Sequence, residues 1–193
     1  MPARIAPAEA PHSSEVAAVL HRMPGDEEPI ALFRLYARNL PLAEALHAWG
    51  SYQLSRQLSL GLRDREILID RTCARCGCEY EWGVHIARFA PRVGLTPAHI
   101  SSLTHGNSAD ACWTTDRDRL LLDAADALHT GHDIDDALWE RLSAEFSPEQ
   151  LLDLLMLCGW YHAISFTARA GRLTPEPGTP KFDDFLPPAA PKP

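Results

Sequence analysis

A chain of 193 residues is long enough for one domain with a sizeable core and short for two. Its 46% hydrophobic and 23% charged residues are the proportions of a globular protein, which excludes a disordered chain, and no uninterrupted apolar run approaches the roughly 20 residues of a membrane span. A net charge of −8 with no Lys/Arg cluster to offset it excludes nucleic acid as a partner.

Residues 1–28 carry Pro2, Pro7, Pro11 and Pro24 and little sustained periodicity, which predicts an arm lying over the domain or over a neighbour. The arm has prolines and acidic residues where a secretory leader would have a basic patch and an apolar stretch, so the expected compartment is the cytoplasm. Five cysteines is an odd number, and with no export signal it argues against a disulfide framework. From Ile30 a helical period sets in, with Leu32, Leu35 and Tyr36 on one face, and Pro41 opens a second helix that pairs with the first. Gly61 and the polar run Arg63, Asp64, Arg65 predict a break, followed by a helix over 66–76. Gly77 ends or kinks that helix, and another follows over 78–93, stopped by Gly94.

Thr96-Pro97 caps a short helix to about Leu103, and residues 104–113 read as a loop. A helix over 114–131 and one over 135–146 come next. Ser147-Pro148-Glu149-Gln150 is a capping-box start for a final apolar helix running to about Ala170. The tail 172–193 is proline-rich and without period, able to dock through Phe182 and Phe185. No alternating strand pattern occurs, so the predicted fold class is all-α: a helical domain over 29–171 between two proline-rich arms.

The chemistry-bearing residues concentrate between positions 66 and 85. Cys78, Glu81, Trp82 and His85 share one helical stripe, and Glu66, with Asp70 and Cys73 on its face, lies on the preceding helix. A carboxylate bonded to one imidazole nitrogen fixes the tautomer and leaves the other nitrogen for acid or base work. Trp82 beside Glu81 would desolvate that carboxylate and act as a substrate platform, although a core position is the blander reading for any tryptophan. The thiols admit three readings: a Cys73-x-x-Cys76 exchange pair beside Arg75, a zinc set of Cys73, Cys76, Cys78 and His85, or small buried residues. The zinc set lacks the usual second ligand pair, so no metal and no cofactor are expected.

The spacing Glu66, then Cys78, then His85 resembles the carboxymuconolactone decarboxylase family, which includes the alkyl hydroperoxidase D-like proteins. The redox branch of that family carries a glutamate, eleven residues, then C-x-x-C-x-x-x-H. Here Glu81 stands in place of the second cysteine, in an E-Y-E-W-x-x-H form, and the likeness continues through GLTPAHI and FSPEQLLDLLMLCGWYHAI, spanning about residues 30–171. The resemblance implies a helical fold assembled as homo-oligomers, often trimers or hexamers, with the site near a subunit contact. It also implies either peroxide reduction by a cysteine pair or acid–base work on small carbonyl or lactone acids. The change at position 81 favours the second. The leading expectation is an enzyme acting on a small organic acid or lactone, with His85 the proton carrier, Glu66 its orienter and Glu81 a second acid–base group. The runner-up is a thiol peroxidase using Cys78, resolved by Cys76 or an external thiol. A third is a non-catalytic ligand-binding oligomer. His162 is a candidate lining residue in each, with a satisfied core histidine as its plain alternative.

Overall fold

A computed structural model describes residues 2–23 and 28–187, and every regular element among them is helical. The elements are α1 (Ser14–Leu20), α2 (Ala31–Tyr36), α3 (Leu40–Gln53), α4 (Leu62–Arg75), α5 (Glu79–Phe89), α6 (Pro97–His105), α7 (Asp116–Gly131), α8 (Asp136–Glu145) and α9 (Pro148–Gly171). Short 3₁₀ turns follow at Ala90–Val93 and Phe182–Phe185. The all-α class read from the sequence is the one found. Pro24 and the prolines beyond residue 187 lie outside the described residues.

The helix starts obey the capping chemistry. Ser147 accepts from the Gln150 amide while the Gln150 side chain returns to the Ser147 amide, and Pro148 takes the first helical position, where its missing N–H costs nothing. Thr96 caps α6 in the same way, with His99 closing the box. The helix expected over 78–93 tightens into a 3₁₀ turn at Ala90 because Pro91 has no amide hydrogen to continue it.

The helix expected from residue 66 instead begins at Leu62, and the Arg63–Asp64–Arg65 run that reads as a break forms its first turn. Ion pairs make this possible: Arg63 reaches Asp118 at 2.9 Å, Asp64 reaches Arg117 at 2.7 Å and Arg65 reaches Glu66 at 2.6 Å. Residues 64–73 are all buried, with α5, α6, α7 and α9 packed around them. Farther along, Arg71 is held by Asp126 and by the carbonyls of Ser102 and Leu103. Gly77, at φ 63°, then reverses the chain in a left-handed conformation that suits glycine, and the Cys78 amide donates back to the Cys73 carbonyl at 2.8 Å. The reversal sets α5 against α4.

α9 is 24 residues long and, over an 18-residue window of mean hydropathy 1.3, apolar enough to cross a membrane, a property the sequence reading did not assign. More than half of that window is buried inside the fold (56%), as in the core helix of a globular domain.

Both arms lie on the domain they flank. The Arg4 amide donates to the Gly171 carbonyl and Arg38 donates to the Ala6 carbonyl, each at 2.9 Å. Within this arm, where the sequence shows little periodicity, α1 forms behind a Ser13 cap and buries Val19 and Leu20. In the tail, Glu176 accepts from the Ala31 amide and from the Tyr80 hydroxyl, supplying the cap that Ile30 cannot give to α2. Phe182 and Phe185 then set their rings edge-on to Trp82, with centroids 4.9 and 5.9 Å away.

Gly83 makes this docking possible, because a Cβ there would sit 2.8 Å from the Pro180 carbonyl oxygen. Gly83→Ala must push the tail off α5, and Phe182→Ala removes part of its anchor. Each variant is expected to destabilise the fold by about 1–3 kcal/mol, read as a lower urea midpoint. Unchanged midpoints would show that the tail does not contribute to the core.

Candidate active site

Glu66 is inaccessible to solvent and projects from α4 toward α5. One carboxylate oxygen accepts from Arg65 (Nε at 2.8 Å), and the other meets His85 Nδ1 at 2.8 Å. Arg65 is itself anchored: it donates to the Leu54 carbonyl and lies over the Phe89 ring, 5.2 Å from its centroid. Burial pushes the His85 imidazole down, but the charge of Glu66, its hydrogen bond and then Glu81 outweigh burial and hold it at about 10. His85 is therefore an imidazolium at neutral pH. Its Nε2–H faces away from Glu66, donating to the Tyr161 hydroxyl oxygen at 3.1 Å, with Glu81 Oε1 at 3.5 Å.

The second oxygen of Glu81 is buried and has no partner among the described residues. Asp70, one turn along α4 from Glu66, is wholly buried, and burial followed by the charge of Glu66 drives its carboxyl well above the usual range. Burial, then the charges of Glu81 and Glu66, keep Tyr161 in its phenol form.

His85, Glu81 and Tyr161 border a cavity of about 340 Å³. Its walls are mainly apolar, from Leu32, Phe33, Leu46, Leu54, Val84, Phe89 and Ile164, while Arg88 and His47 add polar groups. Arg22 and Met23, just after α1, also line it, so the N-terminal arm contributes to the site.

The structure separates the residues that the sequence grouped. Glu66, Glu81 and His85 come together. Trp82, expected as a platform, is fully buried, does not border the cavity and packs under Phe182 and Phe185 instead. Cys78 is fully buried at the start of α5 and does not itself line the cavity, and burial pushes its thiol up. His162 lies beside His129 and not in this cavity, because one step along a helix turns a side chain by about 100°. Tyr161, its neighbour, holds the expected place. The zinc set also dissolves: His85 is committed to Glu66 and Tyr161, while Cys76 faces His129 at 3.8 Å. Arg65 and Tyr161 were not singled out in the sequence. Tyr161 carries the spacing of a buried core residue, and Arg65 sits in a run that reads as a turn.

Fold and site define an all-helical protein with a buried carboxylate–imidazolium pair beside an apolar cavity. No family model matches the chain, and no curated protein matches it in sequence. A crystal structure of an uncharacterized peroxidase-related protein from Silicibacter sp. TM1040 shares the fold, with a TM-score of 0.78 over 92% of this chain and 95% of that chain, at 18% identity.

The His85 shift makes stability depend on pH. An imidazole raised from 6.5 to about 10 holds, in the fold, a proton that the unfolded chain gives up. Its stabilisation is complete below about pH 6.5 and is lost as pH rises through about 10. Urea unfolding of the intact protein is expected to show a steeper loss of stability across that window than His85→Gln. Parallel profiles would contradict the raised value.

Proposed function

We propose that this chain is an enzyme of the carboxymuconolactone decarboxylase and alkyl hydroperoxidase D-like type that performs acid–base chemistry on a small organic acid or lactone. The observation that carries the reading is the His85 Nε2–H, held by Glu66 from behind and presented with Glu81 at the edge of an apolar cavity. A cavity of about 340 Å³ suits a small metabolite, and Arg88 on its lining favours an anionic one.

In the decarboxylation of a β-oxo acid, the breaking C–C bond releases CO₂ and moves its electron pair onto the carbonyl oxygen. The His85 Nε2 proton neutralises the resulting enolate oxygen as an enol. Glu81 takes the enol O–H proton and passes it to carbon as the ketone forms, a proton from solvent restores His85, and Glu66 keeps the ring oriented throughout. The same groups serve a proton shift in a lactone.

A thiol peroxidase centred on Cys78 is the second reading, favoured by the peroxidase-related protein that shares the fold. The raised thiol of Cys78, buried and not part of the cavity lining, weighs against it. The exposed apolar residues Leu152, Met156 and Phe166 on α9 support a homo-oligomer, a trimer or hexamer in this proposal. The free thiols support a cytoplasmic location.

Turnover measured on a panel of β-oxo acids and lactones, beside peroxide consumption with a dithiol donor, separates the readings. His85→Ala and Glu81→Gln are each expected to lower the acid–base activity by about 10²-fold or more, while Cys78→Ser retains most of it. Peroxide turnover that vanishes with Cys78→Ser, and no turnover on the panel, would overturn the acid–base reading.

A further inference from the structure

One residue around α9 from Tyr161, a second cluster gathers a thiol and two imidazoles from three helices. Cys76 ends α4, His129 lies in the last turn of α7 and His162 lies within α9. His129 Nδ1 is 3.2 Å from His162 Nε2 and 3.8 Å from Cys76 Sγ, and all three donor atoms lie within 4.8 Å of one another. A tetrahedral zinc ion, with bonds of about 2.0–2.1 Å to nitrogen and about 2.3 Å to sulfur, has nitrogen–nitrogen edges of about 3.3 Å and nitrogen–sulfur edges of about 3.6 Å. The separations of His129 from its two neighbours match those edges within about 0.3 Å.

The tautomer of His162 points the same way. Its Nδ1 lies 2.8 Å from the Cys158 carbonyl oxygen, which can only accept, so the ring hydrogen sits on Nδ1 and the Nε2 lone pair faces the cluster. A backbone carbonyl behind the remote nitrogen is the usual support of a metal-binding histidine. On the sulfur side, Arg169 donates to the Cys76 carbonyl at 2.6 Å, placing a positive charge near the point where a thiolate forms. His162, alone of the three, also borders a cavity lined by Leu128, His132, Leu155 and Phe166.

We propose that Cys76, His129 and His162 form a binding site for a divalent cation of the zinc class, separate from the Glu66–His85 cluster. The site departs from the sequence expectation of no metal, because its ligands stand 53 and 33 positions apart and leave no local motif. Zinc would tie the ends of α4 and α7 to the middle of α9. Three protein ligands leave a fourth position for water or a small anion.

Co²⁺ reports the ligands directly. Metal-free, reduced, full-length protein is titrated with Co²⁺ and then with Zn²⁺. The expected result is a saturable sulfur-to-cobalt charge-transfer band in the near ultraviolet, with strong visible bands of tetrahedral cobalt, both erased by Zn²⁺. Cys76→Ser abolishes the charge-transfer band, and His162→Gln weakens binding by at least about tenfold. His105→Gln, outside the cluster, changes neither. Zinc also raises the melting temperature of the intact protein and not of the His129→Gln/His162→Gln double variant. Absence of the band in the folded wild-type protein overturns the proposal. So does a band that survives Cys76→Ser, or equal affinity in the double variant, either of which would leave only a hydrogen-bonded histidine pair.

Discussion

Glu66 is a carboxylate with no exposure to water, and the centre of the fold is arranged around keeping it charged. An isolated buried carboxylate costs several kcal/mol of lost solvation, so it persists only with cations and donors against both oxygens. Arg65 covers one oxygen and His85 the other. Arg65 comes from the adjacent position on α4, but His85 must be carried back from α5, and the tight reversal at Gly77 does this. Its positive φ is therefore part of the site's construction as much as of the fold's. With Glu66 satisfied, His85 is locked as an imidazolium whose remaining hydrogen is aimed at Tyr161 and Glu81.

α9 divides the molecule chemically. At Tyr161 it supports the carboxylate–imidazolium cluster and the apolar cavity, while at His162 it meets His129 and the end of α4. The two clusters share helices without sharing side chains. The arms complete the arrangement: the N-terminal arm supplies Arg22 and Met23 to the cavity, and the tail covers Trp82 on another face of α5. Residues 79–85 thus face two ways at once, with Tyr80 and Trp82 held by the tail and His85 turned inward.

The helices were legible in the sequence because their ends carry local signals: the Ser147 capping box, Thr96-Pro97, Gly77 and Gly94. The pairing of Glu66 with Glu81 and His85 was legible because it follows from a helical stripe and one reversal. What escaped depended on contacts distant in sequence. Arg63 to Arg65 look like a turn until Asp118, Arg117 and Glu66 neutralise them, and a helix that buries its charges defeats any reading by apolar period. Trp82 and His162 had the right chemistry on helices facing the right way, but one residue of rotation separates each from the cavity. The Cys76–His129–His162 cluster joins three helices and has no signature in any of them.

Glu66 holds His85 doubly protonated at neutral pH. Nitrogen-15 spectra of histidine-labelled protein at about pH 7, with the His85 ring assigned by comparison with His85→Gln, test it most directly. The structure predicts that both His85 ring nitrogens carry hydrogen, with the Nδ1 proton shifted far downfield by its short bond to Glu66. A His85 ring with one bare nitrogen at that pH would contradict the account and make the group a neutral base.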